Sequence, residues 1–136
     1  MKFSDNPDRL NFDFASEAAR RDYLDLDEDA QDAFGSGFMA LQVHSEPLVE
    51  SKVLSHFGSA KVRELIYKDD SGTYRAAYTI EFEDFIYMLH AWKKKSTKGI
   101  STAKADIEKI KKRIEEARER HEQWLHRQQG GKHGRS

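Results

Sequence analysis

Val62–Thr102 reads VRELIYKDDSGTYRAAYTIEFEDFIYMLHAWKKKSTKGIST, and its pattern decides the fold. Val62 to Tyr67 is apolar and β-branched, Asp69-Asp70-Ser71-Gly72 is turn chemistry, and Thr73 to Phe82 alternates strictly, so the three together predict a hairpin. Tyr74, Ala76, Tyr78, Ile80 and Phe82 share its apolar face. The opposite face, Arg75, Ala77, Thr79 and Glu81, is half-polar and is expected to meet solvent or a ligand. A second short turn at Glu83-Asp84 leads into Phe85 to Trp92, apolar on both faces, as a central strand covered on each side. The strand order is that of an antiparallel meander. It ends in a cationic loop, Trp92-Lys93-Lys94-Lys95-Ser96-Thr97-Lys98-Gly99, of the kind that grips a phosphate backbone.

Downstream, Ile107, Ile110, Ile114, Ala117, His121 and Trp124 step by three and four and predict a long helix, with Thr102 as N-cap and Asp106 favouring the positive end of its dipole. Residues 129–136 are expected to form a disordered tail. Upstream, Phe12 and Phe14 suit a short strand or an arm on the core. Ser16 to Leu24 predicts a short helix capped by Ser16. The acidic run Asp25 to Asp29 suits the start of a second helix, whose Ala30, Ala33, Phe34, Gly37, Phe38 and Leu41 make one apolar face. Gly35 and Gly37 each cost about 1 kcal/mol relative to Ala in a helix, which points to a close neighbour there. Ser45 to Gly58 reads as a connecting loop. Two helices, a meander and a final helix make an α+β class, in one domain over residues 1–128.

With 136 residues, one core is the expectation, and the absence of cysteine excludes disulfides and thiolate metal sites and suits a reducing cytoplasm. No apolar run approaches the roughly 18–20 residues of a membrane span, so no membrane partner is expected. The net charge of −1 hides a division: residues 1–60 carry 5 Lys+Arg against 12 Asp+Glu, and residues 61–136 carry 18 against 12. That asymmetry hints at polyanion contact by the basic half, against the plainer reading of two solvated faces.

The cationic loop points to nucleic-acid chemistry, where cleavage of RNA by its own 2′-hydroxyl, as one such reaction, would need a base, cations for the charge growing on the phosphate, and an acid for the departing oxygen. Arg75 and Lys94 are the leading cationic candidates, expected to converge at one edge of the sheet. His90 is the nearest side chain that ordinarily exchanges protons around neutrality. Arg63, Lys93, Lys95, Lys98 and Lys104 are candidate RNA contacts. Each also has a structural reading: His90 as a hydrogen-bonded core histidine, the lysines as a solvated loop, Arg75 paired with Glu64 or Glu81 across the sheet, Tyr74 and Tyr78 as core. His121, His126 and His133 are too scattered for a metal site, and no cofactor is expected.

The runs Thr73-Tyr74-Arg75-Ala76-Ala77-Tyr78-Thr79-Ile80, Tyr87-Met88-Leu89-His90-Ala91-Trp92-Lys93-Lys94-Lys95-Ser96 and Lys98-Gly99-Ile100-Ser101-Thr102-Ala103-Lys104 resemble phage-derived HigB-type toxins of the RelE/ParE superfamily, clearly from about Phe57 to Ala117. The resemblance implies a RelE-like fold, with a helical hairpin packed on a small twisted antiparallel sheet and a long C-terminal helix. It implies a toxin of a toxin–antitoxin pair, a metal-independent endoribonuclease cutting messenger RNA on the ribosome and silenced by a cognate antitoxin, often a helix-turn-helix protein. The ParE branch, which inhibits DNA gyrase, implies the alternative of a non-enzymatic binding module. Trp92, Lys93, Ala103 and Ile66 depart from residues common in the family, Phe, Gln, Pro and Arg respectively.

Overall fold

The computed structural model describes residues 9–94 and 103–133. In chain order its elements are β1 (Asn11–Phe14), α1 (Glu17–Leu24), α2 (Glu28–Gln42), β2 (Glu50–Val53), β3 (Val62–Asp69), β4 (Gly72–Thr79), β5 (Phe85–Lys93) and α3 (Lys104–His133). One sheet holds all five strands in the order β1-β5-β4-β3-β2. The expected meander, β3 to β5, is present, and β5 is internal to the sheet as its two-sided apolarity predicts. The sheet is not wholly antiparallel, however, because β1 joins it parallel to β5.

Helix termini follow local chemistry. The Ser16 hydroxyl accepts from the Ala19 amide and caps α1. Asp27 precedes α2, but its carboxylate is used elsewhere: the Tyr74 hydroxyl donates to it at 2.6 Å, with the Ser71 hydroxyl beside it at 3.4 Å. The start of α2 is thereby fastened to the β3–β4 turn.

Alternation fixes what each face of the sheet meets. On one face Tyr78 meets Phe38 of α2 edge-on. A Cβ on Gly37 would come within 2.9 Å of a Leu65 methyl, so the missing side chain lets α2 lie close to β3. On the other face Tyr87 hydrogen-bonds His121 of α3, Phe85 packs edge-on to Trp124, and Ile110, Ile114 and Ala117 are buried. Tyr74 and Tyr78 are core residues.

Four expectations are corrected. The segment read as a loop from Ser45 to Gly58 contains β2, paired antiparallel with β3 from Glu50↔Ile66 to Val53↔Arg63. Its charged, non-alternating sequence is that of an edge strand formed through backbone pairing. The face of Arg75, Ala77 and Thr79 is buried and does not meet solvent, since α3 crosses that side of the sheet and Glu64 faces Arg75. The second strand ends at Thr79, short of Phe82: the Thr79 hydroxyl bonds the Ala60 carbonyl and accepts from the Glu81 amide, which turns the chain. Phe82 then stacks on His121, away from the Tyr78 face. Finally, α3 is helical through 129–133, where the sequence predicts a disordered tail.

Candidate functional site

A register shift in β5 builds the site. Ala77 faces His90 and Tyr78 faces Met88, so Leu89 is left over as a bulge. Its carbonyl, displaced from the ladder, accepts from the Arg113 guanidinium at 3.0 Å. β1 pairs with β5 only from Phe85 to Met88, so β5 continues past Met88 beyond the end of its outer neighbour. The α1–α2 connection and the first turns of α3 stand along that stretch, leaving a cleft of about 560 Å³ lined by Asp22, Asp25, Asp27, Arg75, His90, Trp92, Lys93, Lys94, Asp106 and Lys109 among others.

At the base of the cleft Arg75 donates to Glu64 at 2.6 Å, the cross-strand pairing the sequence allowed. Arg75 is 4% exposed and Glu64 0%, so this is a buried ion pair, with the Lys52 ammonium at 3.8 Å from the same carboxylate oxygen. Burial pushes the Glu64 carboxyl above its ordinary range, against the opposing pull of Arg75 and Lys52. Lys94 lies beside this group. Its amide donates to the Thr73 carbonyl at 2.7 Å, and its ammonium titrates lower than an ordinary lysine, first because it is partly desolvated and then because Arg75, Lys52 and Lys68 repel it. Arg75 and Lys94 therefore do share one site.

His90, 3% exposed, is held at both ring nitrogens: Nδ1 is 3.1 Å from Asp22 and Nε2 is 2.9 Å from Asp106. Asp22 also accepts from Arg113 at 2.9 Å, which ties α1, β5 and α3 together through one carboxylate. The Trp92 indole stacks on the His90 ring, centroids 4.6 Å apart and planes 12° from parallel.

The remaining candidates separate. Lys93 lines the cleft with its ammonium 5.5 Å from the Tyr74 ring centroid and its stem packed over Gly72, whose φ of +143° suits the tight turn. Arg63 stands away from it, lining a different, largely apolar cavity of about 790 Å³ with Pro47, Ile80, Phe82 and Phe85, and donating to Ser51 at 3.3 Å. Lys104 begins α3 exposed, while Ala103, Ala105 and Asp106 around it line the cleft. Lys95, Lys98 and the Thr102 cap lie outside the described residues.

Residues not anticipated from sequence complete the picture. Asp22, Asp106 and Arg113 organise His90, and Lys52 reaches Glu64 from a strand read as loop. Four aspartates line the cleft, so its described part is mixed in charge, not uniformly positive. Among the described residues no group of His, Cys, Asp and Glu is arranged to hold a metal, and no helix is long and apolar enough to cross a membrane.

N-terminal helices on a small twisted sheet, with a long C-terminal helix and a cleft beside the last strand, define a small α+β domain of RelE-like arrangement. The chain belongs to the family described as phage derived protein Gp49-like (DUF891), whose model matches residues 21–115. That match spans more of the N-terminal half than the sequence resemblance did, taking in all of α2 and the end of α1. No curated protein and no solved structure matches the chain.

Proposed function

We propose that this protein is the toxin of a toxin–antitoxin pair and cleaves messenger RNA, with the scissile phosphate gripped in the cleft beside β5. The observation that carries this reading is the meeting of Arg75, Lys93 and Lys94 at one cleft with a titratable imidazole at its wall. Cations fixed by a folded scaffold stabilise the charge growing on phosphate without requiring a metal. In this reading Lys94 is the group nearest the phosphate, since it is partly exposed and its depressed pKa eases proton exchange. Arg75 contributes positive potential from behind, its guanidinium oriented by Glu64. Lys95, Lys98 and Lys104 are further proposed contacts to the RNA, which is engaged on the ribosome. A cognate antitoxin, a helix-turn-helix protein, silences it.

One observation favours a second reading. Arg75 is committed to Glu64, and both nitrogens of His90 face carboxylates, so the cation and the titratable ring that cleavage would use are engaged in structure. A non-enzymatic inhibitor or binding module on the same scaffold would need neither.

The deciding experiment is induced expression in bacteria with transcript ends mapped for the wild type and for Lys94→Ala. New ends in the wild type, absent from Lys94→Ala at equal protein level, support cleavage, and cleavage of purified message by the purified protein should persist in a chelator. Growth arrest with no new transcript ends refutes the nuclease reading and favours the second.

A further inference from the structure

Trp92 is one of two tryptophans in the chain, and the two have different surroundings. Trp124 packs against Phe85 and His121 at the core. Trp92 is half-buried at the wall of the cleft, and its register partner on β4 is Arg75. One face of its indole lies on the His90 ring at 4.6 Å. That ring cannot swing, because Asp22 holds one nitrogen and Asp106 the other. The indole thus rests on an imidazole fixed from two helices, with Lys93 ending the strand after it and Lys94 next in the chain.

A rigid aromatic plane beside cations is the arrangement that receives single-stranded nucleic acid: the cations take phosphate and the ring takes the neighbouring base. Indole offers the largest stacking area of any side chain and, with two χ angles, loses little freedom when held. We propose that Trp92 is a base-stacking residue, and that a nucleobase adjoining the gripped phosphate lies on the indole face opposite His90. Asp22 and Asp106 act on this contact as positioning residues, through the imidazole. This inference rests on the RNA reading above and adds to it the residue that takes a base. Stacking accepts every base, so the contact supplies affinity and placement more than sequence preference.

The test uses the full chain carrying Trp124→Phe, so that emission reports Trp92 alone. It is titrated with a seven-nucleotide 2′-O-methyl oligoribonucleotide, which lacks the attacking hydroxyl and is not cleaved, and with an abasic oligomer of the same phosphate count. The expected result is quenching by the base-bearing oligomer and little change with the abasic one. Trp92→Leu, its affinity read by anisotropy of a labelled oligomer, should bind about 5–150-fold more weakly, from the ~1–3 kcal/mol that one stacked base contributes. Trp92→Phe, which keeps a ring, should fall between. Asp106→Asn removes a cleft carboxylate for both oligomers alike, so its affinity for the base-bearing oligomer should fall relative to that for the abasic one, a split that general loss of structure would not give. If the oligomer binds without altering Trp92 emission and Trp92→Leu binds as well as the parent, the stacking assignment is wrong and the RNA reading survives. If neither oligomer binds the unaltered chain, the RNA reading fails and the assignment with it.

Discussion

The buried pair of Arg75 and Glu64 makes a quantitative demand on folding. Arg75→Ala removes a guanidinium that donates at 2.6 Å and leaves a carboxylate with no solvent exposure, beside a single ammonium at 3.8 Å. Stranding one member of a buried ion pair costs about 3–5 kcal/mol. Part of that is recovered if the carboxyl takes up a proton, which its raised pKa already favours. Against a total stability of about 5–15 kcal/mol for a small domain, the loss is large enough to populate unfolded protein. Replacing both members with apolar side chains of similar reach, Glu64→Leu with Arg75→Met, removes the charge and its desolvation together and should restore stability to within about 1–2 kcal/mol of the parent. The assay is a double-mutant cycle by urea unfolding at neutral pH. An Arg75→Ala cost under about 1 kcal/mol, or a double variant no more stable than Arg75→Ala alone, would refute the account of a desolvated, mutually dependent pair. The outcome also bears on function: lost toxicity in Arg75→Ala would reflect folding, which is why Lys94→Ala is the better probe of chemistry.

Four further outcomes follow from particular contacts. Gly37→Ala gains about 1 kcal/mol of helix propensity but drives a methyl to within 2.9 Å of buried Leu65, with Val49 and Pro47 at 3.5 and 3.6 Å behind it, so a thermal melt should show it less stable than the parent. Gly35→Ala, which meets only the Tyr23 hydroxyl at 3.3 Å, should be the milder of the two in the same assay. Asp22→Asn withdraws charge from Arg113 and His90 at once and should cost roughly 1.5–3 kcal/mol by urea unfolding. Burial raises the Glu64 pKa above 4.5, so the folded chain binds that proton more tightly than the unfolded one; the resulting stabilisation is full below 4.5 and is lost as pH rises through the folded value. Glu64→Gln lacks that titration, so its stability relative to the parent should increase with pH across this window and then level off, as read from urea midpoints.

Fold and site differ in how far the sequence reveals them. Strict alternation from Thr73 to Tyr78, turn residues at 69–72 and the three-four spacing from Ile107 to Trp124 are local signals, and each produced its element. β2 was invisible because Glu50-Ser51-Lys52-Val53 has no apolar period; backbone pairing to β3 makes it a strand, and pairing partners are a property of the whole sheet. Arg75 shows the same limit at the site. Its alternation placed it correctly on the half-polar face, and Glu64 was a foreseeable partner, but whether that face met water depended on where α3 crossed. His90 was legible as a titratable group on an apolar strand. Its engagement by Asp22, 68 positions away, was not, because nothing periodic links a helix near the N-terminus to a strand near residue 90.

The charge division along the chain acquires a physical meaning from these contacts. Acids of the first half meet cations of the second across element boundaries: Asp13 with Arg120 at 3.4 Å, and Asp22 with Arg113 and His90, while Asp25 and Asp27 line the same cleft as Lys93 and Lys94. The acidic half therefore does two things at once. It offsets the self-repulsion of a basic C-terminal half on which the compact state would otherwise lose stability, and it contributes carboxylates to the cleft that the lysines line. A phosphate entering the cleft meets both signs of charge, and like-charge exclusion by the carboxylates narrows the positions it can take. The carboxylates lower the net positive charge of the cleft, with Asp22 and Asp106 already paired with Arg113 and His90, and on the proposed function the stacked base at Trp92 supplies binding energy that charge in this cleft does not.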